Sequence, residues 1–224
     1  MEGCRIVKVL LVGNGCSATE HKLGKVIDSE FDLVLRMNRF KTKGFEEYVG
    51  SKTDVWVVTD NAFQWVLDET EGIEGSFNWK NYKSIYIGIP SFKYEHSLND
   101  IETNIKNKNI QGNILLIPKQ VGDIASEKLQ IPNDKWPTLG MQCLYTLLLM
   151  KENHDIYIYG FDGKNKKYKY LHYYDEGYSD YETEKYYNRK ITHEDSKEYQ
   201  HIKDLVSEKK IKRLEEQYKG EVKL

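Results

Sequence analysis

The 224-residue chain lacks several things, and each absence narrows what it can be. No apolar run approaches the ~20 residues of a membrane-spanning helix, and the mean hydropathy is −0.68. No charge of one sign dominates: 33 Lys and Arg stand against 35 Asp and Glu, for a net charge of −2. With a pI near 6.3, the chain has no global basic field for nucleic acid. The cluster Lys209-Lys210-Ile211-Lys212-Arg213 reads as a solvated face. No Gly-, Ser- or Pro-rich tract marks a linker and no segment repeats, so residues 1–224 are expected to form a single domain. Cysteine is scarce. Cys4, Cys16 and Cys143 form no CxxC pair and no metal-ligand spacing, and their odd number argues against a disulfide framework. That usage suits a reducing compartment. Met1-Glu2-Gly3-Cys4-Arg5 runs almost directly into the first apolar run, so neither a signal peptide nor a stem is expected. The expected location is cytoplasmic, with peripheral membrane contact left open.

What the chain does have is a regular alternation. Apolar runs of strand length recur at Val7–Val12, Leu33–Met37, Val55–Val58, Ile85–Ile89, Ile114–Ile117 and Ile156–Tyr159. Segments of helical length separate most of them: Ser17–Lys25, Asn61–Leu67, His96–Lys106, Val121–Leu129 and Leu139–Lys151. In the last, Leu139, Cys143, Leu147 and Met150 recur at helical spacing and predict a core face. This pattern predicts an α/β fold, a Rossmann-like domain with a mostly parallel twisted sheet and helices on both faces. The charged segment from His193 to Gln217 predicts a surface helix packed through Ile202, Leu205 and Val206, with a short edge strand near Ile211–Leu214. Tyrosine is the compositional outlier, with 17 residues, eight of them between Tyr168 and Tyr187. That stretch has no clean period and reads as a long loop, the kind of segment that often closes over an active site.

The first strand, Val9-Leu10-Leu11-Val12, stops at Gly13-Asn14-Gly15. Such a turn between a strand and a helix exposes backbone N–H groups to phosphate. The second strand ends at Asn38, where a dinucleotide-binding protein usually places an acidic residue. Asparagine there offers both a donor and an acceptor to a ribose or a base without repelling phosphate. Over Val9 to Thr53, about 45 residues, the chain resembles the large sialylmotif of the eukaryotic-type sialyltransferase family. The matching runs are Val12-Gly13-Asn14-Gly15, Ile27-Asp28-Ser29, Phe31 to Asn38, Gly44-Phe45-Glu46 and Val49-Gly50-Ser51-Lys52-Thr53.

Three later segments extend the resemblance. Trp136-Pro137-Thr138-Leu139-Gly140 and then Ile156-Tyr157-Ile158-Tyr159-Gly160-Phe161-Asp162 resemble the small sialylmotif. Thr138 is also a good helix cap, whose free N–H groups suit an anion or a ribose hydroxyl. His172-Tyr173-Tyr174 is similar to the family's short aromatic motif. His193 followed five residues later by Glu198 matches the very short one. The resemblance implies CMP contacts from Gly13, Asn14, Asn38, Thr138, Leu139, Gly140, Gly160 and Phe161. It implies phosphate contacts from His172 with Tyr173 and Tyr174. It implies that His193 is the general base, work for which a near-neutral pKa is suited. Glu198 is too far along the helix for an i,i+4 partner and reads instead as an anchor for the helix start or the strand ends. His21, His96, His154 and His201 are read as ordinary histidines.

Two further absences shape the chemistry. No Asp-x-Asp stands at a strand end, and a CMP-activated sugar leaves as a phosphate monoester that N–H donors, tyrosine hydroxyls and His172 can stabilise. No metal and no cofactor is therefore expected. The glycine pattern also stops short of GxGxxG, with Ala18 at the third position, which together with Asn38 disfavours an NAD-dependent oxidoreductase or a methyltransferase. The implied function is an inverting glycosyltransferase using a CMP-activated 2-keto sugar acid, sialic acid or Kdo, with a glycan or glycolipid acceptor. A noncatalytic CMP-binding protein is the alternative from another class. The family's Golgi members join the two sialylmotifs by a disulfide at positions that align with Val9 and Asn153 here. That departure points to a soluble bacterial or viral member, or to a domain that never meets an oxidising lumen. The resemblance does not extend over Phe63 to Lys135.

Overall fold

The computed structural model describes residues 5–63, 82–107, 109–110, 112–150, 153–162, 172–174 and 193–218. Within them, seven strands form one sheet: β1 (Val7–Val12), β2 (Leu33–Met37), β3 (Val55–Thr59), β4 (Ser84–Gly88), β5 (Ile114–Leu116), β6 (His154–Tyr159) and β7 (Lys212–Arg213). Their order is β5-β4-β3-β2-β1-β6-β7, and every pairing is parallel. The order runs outward from β1 to β5 and then resumes on the other side of β1. The switch therefore lies between β1 and β6, whose register pairs Val12 with Tyr159. In open α/β sheets, ligands bind in the crevice outside the strand ends at such a switch.

Strand alternation divides the core. Val9, Leu11, Leu35, Val57, Ile156 and Ile158 share one face with apolar residues of helices Lys119–Leu129, Leu139–Leu149 and Asp195–Ser207. On the other face, Leu10, Val12, Val34 and Tyr159 pack on Ile27, Val49 and Leu214, from helices Gly24–Glu30, Glu46–Val49 and Leu214–Gln217. Further along that face, Trp56, Val58 and Ile87 meet Ile101 of helix Tyr94–Asn107. Strands buried on both faces need near-continuous apolar runs, which is why both ends of β1 and β2 were readable in the sequence, whereas β3 to β6 differ from expectation by one or two residues at one or both ends.

Several boundaries differ from expectation. The helix expected over Ser17–Lys25 is two pieces, a 3-10 turn at Cys16–Thr19 and a helix that starts at Gly24. The break has a cause: the Tyr159 hydroxyl lies 2.8 Å from Ala18 O and 3.0 Å from His21 O, drawing both carbonyls away from helical pairing. Met150 is not a core residue. The helix ends at Leu149, and Met150 takes an extended conformation and is 39% exposed. The helix predicted at Asn61–Leu67 falls largely outside the described residues, as does the tyrosine-rich stretch apart from residues 172–174. The C-terminal helix and edge strand are present, and the nearby basic cluster is largely paired: Lys210 with Glu208, Lys212 with Asp155 and Arg213 with Glu215.

The connection between β2 and β3 is held from inside by Arg36, which is fully buried. Its Nε donates to Lys52 O at 3.1 Å and to Thr53 Oγ1 at 3.0 Å, and its Nη2 donates to Val49 O at 2.5 Å. Burial lowers its pKa to about 10. From outside, Asp28 accepts the N–H groups of Ser51 and Lys52 at 2.9 and 2.8 Å. Replacing Arg36 with methionine removes the donors of several buried acceptors, each worth about 1–3 kcal/mol when left unpaired. The expected result for Arg36→Met is a loss of about 3 kcal/mol or more, read from the denaturant midpoint of unfolding.

Candidate active site

The ends of β1 and β6 meet at backbone distance. Gly13 N–H donates to Tyr159 O at 2.7 Å, and Gly15 N–H donates to Gly160 O at 3.0 Å. A Cβ on Gly13 would lie 2.4 Å from Gly160 O, so no larger residue fits. Gly160 itself has φ of +70° and faces Gly13 O and Ala18. Two glycine N–H groups expected to face phosphate are thus engaged by β6. Gly13 and Gly160 contribute closeness of backbone rather than donors.

Asn14 stands at the mouth of this junction. Its Nδ2 donates to Met37 O at 3.0 Å and reaches Arg39 O at 3.4 Å. Carbonyls only accept, so these contacts fix which end of the amide is nitrogen. Its Oδ1 is buried and has no partner among the described residues, a state that calls for an explanation in a folded protein. Asn38, at the end of β2, takes the left-handed conformation with φ of 48°. Its N–H donates to Val57 O at 2.7 Å, its carbonyl accepts from Trp56 Nε1 at 2.9 Å, and its Oδ1 accepts the Thr59 N–H at 3.1 Å. Asn38 therefore ties β2 to β3 with both backbone and side chain.

The second motif closes the crevice from the helix face. Thr138 caps helix Leu139–Leu149 by accepting the Met141 N–H at 3.3 Å. Glu198, 6% exposed, accepts the Thr138 N–H at 2.7 Å and its hydroxyl at 2.6 Å. The expectation that Glu198 anchors the helix start is met, and the Thr138 N–H is directed to it rather than to a ligand. Leu139 is buried against Gly88, where a Cβ would meet its Cδ1 at 2.4 Å. Gly140 lies under Phe161, whose Cε1 is 3.0 Å from where a Cβ would stand.

The third motif docks on the far side of Asn14. Tyr173 N–H donates to Asn14 O at 3.0 Å, which brings residues 172–174 to the switch point. The Tyr173 hydroxyl donates to Lys41 O and the Tyr174 hydroxyl to Arg39 O. Both phenols thus anchor the chain after β2, a role the sequence did not disclose. His172 stacks parallel on Tyr174, centroids 5.2 Å apart. His193 Nδ1 lies 2.8 Å from Trp136 O, and its ring meets the Trp136 indole edge-on at 5.6 Å. Since the carbonyl must accept, Nδ1 carries the proton and the neutral ring has its lone pair on Nε2. Trp136 in turn packs against Phe92 at 4.9 Å. Sequence reading assigned no role to Trp136, Phe92 or Asp162. For Asp162 one signal existed: Gly15 opens a turn without a side chain to cap it.

Fold and site together define a doubly wound α/β protein whose motif residues gather at the β1/β6 switch, where ligands bind in sheets of this kind. Comparison with known proteins then gives the family. The family model for glycosyltransferase family 29 (sialyltransferase) matches residues 3–210, and the chain belongs to that family. The human CMP-N-acetylneuraminate-beta-galactosamide-alpha-2,3-sialyltransferase 1 is 29% identical over 169 residues, covering 75% of this chain and 48% of its own. The human CMP-N-acetylneuraminate-beta-1,4-galactoside alpha-2,3-sialyltransferase is 30% identical over 87 residues, 37% of this chain and 23% of its own. The chain thus spans about half the length of the first of these relatives. A solved structure described as a mammalian sialyltransferase superimposes with a TM-score of 0.65 at 22% identity, over 93% of this chain and 69% of that one. The fold is therefore shared.

The helix that carries Glu198 also carries His201, whose Nε2 lies 2.7 Å from the Tyr145 hydroxyl, with the two rings stacked. Burial lowers the His201 pKa below its usual 6.5, against the opposing pull of Asp204 and Glu208 and with smaller lowering contributions from Lys210 and Lys128. A base with a depressed folded pKa leaves the unfolded chain binding the proton more tightly. Its contribution to stability is full above about pH 6.5 and is lost as pH falls from there through the lower folded value. Thermal unfolding followed from pH 7.5 to 5 should show the midpoint falling in that window, and His201→Gln should flatten the slope.

Proposed function

We propose that this protein transfers sialic acid, or a related 2-keto sugar acid, from a CMP-activated donor to a glycan hydroxyl, with inversion and without a metal ion. The observation that carries this reading is the bond from His193 Nδ1 to Trp136 O. It ties the candidate base to the segment that opens helix Leu139–Leu149, on the side of the sheet where the nucleotide motifs converge. In the proposed reaction, His193 Nε2 accepts the proton of the acceptor hydroxyl. That oxygen attacks the anomeric carbon while the bond to the CMP phosphate breaks. His172 stands on the other side of Asn14 as the group that stabilises the leaving phosphate. Asn14 Oδ1, a buried acceptor awaiting a donor, supports a nucleotide hydroxyl or amino group nearby.

The names of the relatives favour N-acetylneuraminate as donor sugar and a β-linked galactoside as acceptor. A solved sialyltransferase described in complex with Gal-beta-1-3GalNAc-ortho-nitrophenol supports the same acceptor class. Kdo is the second donor to assay. The proposed compartment is reducing: Val9 and Asn153 stand at the positions that align with the disulfide of the family's Golgi members, and Cys143 is a buried free thiol.

CMP release measured with CMP-sialic acid and CMP-Kdo, with and without a β-galactoside and in the presence of a chelator, tests the proposal. Acceptor-stimulated, chelator-resistant release is expected from CMP-sialic acid. His193→Ala should lower turnover by about 10²–10⁴-fold while its unfolding midpoint stays near that of the parent. A folded His193→Ala protein with parental turnover would remove His193 from the role of base.

A further inference from the structure

The 3-10 turn Cys16–Thr19 begins at Gly15, which has no side chain with which to cap it. Nothing larger than glycine fits there, because a Cβ would lie 2.4 Å from Asp162 Oδ2 and 2.7 Å from Gly160 O. The cap is supplied from the opposite side of the switch point. Asp162 Oδ2 accepts the Ser17 N–H at 2.9 Å, a contact made across 145 positions of sequence. Asp162 Oδ1 accepts the Ser17 hydroxyl. The carboxylate thus does for this turn what an Asp or Ser at its own first position does elsewhere.

This arrangement has a direct mechanical consequence. The segment 13–17 is held at Gly13 and Gly15 by the backbone carbonyls of Tyr159 and Gly160 and at Ser17 by Asp162. Asn14 lies between the first two of these ties, and its side chain bridges to the ends of β2. Where Asn14 Oδ1 points therefore depends on the turn being fixed at both ends. The carboxylate also stands where an anion would otherwise meet the start of this turn, so the turn is closed by the protein's own charge.

We infer that Asp162 is a positioning residue for donor binding: it latches the glycine turn to β6 and through that turn holds Asn14 at the switch point. This rests on the reading of the crevice as a CMP-donor site. Asp162 does not touch His193 or the Trp136 wall in any described contact, so the latch acts on the donor and not on the proton transfer. Asparagine can reproduce the latch, with its oxygen accepting the Ser17 N–H and its amide donating to the Ser17 hydroxyl. Alanine cannot.

The test compares Asp162→Ala, Asp162→Asn and Ser17→Ala with the parent chain by three readouts. These are steady-state kinetics on CMP-sialic acid and a β-galactoside, CMP binding by calorimetry, and backbone amide exchange over residues 13–19. Loss of a cap of this kind corresponds to about a tenfold weakening. Asp162→Ala should raise the donor KM and the CMP dissociation constant by about that factor, with kcat and the acceptor KM unchanged and with faster exchange at 16–19. Asp162→Asn should restore all three, and Ser17→Ala, which keeps the N–H arm, should fall between. A parental donor KM in a folded Asp162→Ala protein, or a loss in kcat alone, overturns the positioning role. Unchanged exchange overturns the latch itself. Failure of the parent chain to bind CMP overturns the donor reading, and with it the positioning role, whatever the exchange shows.

Discussion

The contact on which the rest of the site depends is the approach of two backbones, that of Gly13 to that of Gly160. Parallel strands at a topological switch diverge into different connections, and nothing in the sheet ladder itself keeps their ends together beyond the last paired residues. Here the pairing continues past Val12 and Tyr159, because Gly13 and Gly15 donate to the successive carbonyls of Tyr159 and Gly160. A side chain at either position would push the two backbones apart, since a Cβ would fall 2.4 Å from Gly160 O on Gly13 and 2.7 Å from Gly160 O on Gly15. Once the ends are joined, Asn14 has one place to go, Phe161 is laid over Gly140, and residues 172–174 find a carbonyl at Asn14 to dock on. Packing, orientation and docking all follow from a missing methyl group.

A second feature is how few motif residues are left to touch a ligand. Arg36 binds the backbone of the β2–β3 connection, Asp28 binds that connection from outside, and Glu198 binds Thr138. The Tyr173 and Tyr174 hydroxyls hold Arg39 and Lys41. Each is a long-range bond between segments that must be fixed before any chemistry is possible. Buried charges such as Arg36 and Glu198 are costly unless paired, and here Arg36 Nε and Nη2 and the Glu198 carboxylate are bonded to backbone and hydroxyl groups of Val49, Lys52, Thr53 and Thr138. Rigidity at those loops is the return, and electrostatic catalysis requires donors that do not have to reorganise during the reaction.

Much of this was legible in the residues. β1 and β2 were read to the residue, because strands buried on both faces are uninterrupted apolar runs with turn residues at their ends. The helix Leu139–Leu149 was legible from its cap and period. The break between Thr19 and Gly24 was not, since it is caused by the Tyr159 hydroxyl, which lies far away in sequence, and by Gly24 packing at 1.8 Å from Glu46 O when given a virtual Cβ. Gly13, Asn14, Thr138, Gly160, His172 and His193 could be nominated by resemblance, but what each does could not be read. The glycine N–H groups look available in sequence and are engaged in three dimensions. Asp162 was passed over because a cap normally precedes its own helix, and this one arrives from another strand.

The same logic explains why the sequence speaks to the nucleotide before it speaks to the acceptor. The proposed nucleotide side is built from strand ends, where backbone geometry restricts residue choice and leaves a recognisable pattern. The wall beside the candidate base is built differently. Phe92, 69% exposed, follows β4 and packs on Trp136, and Trp136 carries His193 on its edge. Through Trp136, Phe92 belongs to the wall beside His193, the acceptor side in the proposed reaction. It comes from the stretch between Phe63 and Lys135, where no sialylmotif imposes a pattern. Aromatic faces accept many sugars and many residues can provide them. Under the proposed function, the donor side therefore leaves a signature in the sequence, while the wall beside His193 is assembled only by the fold.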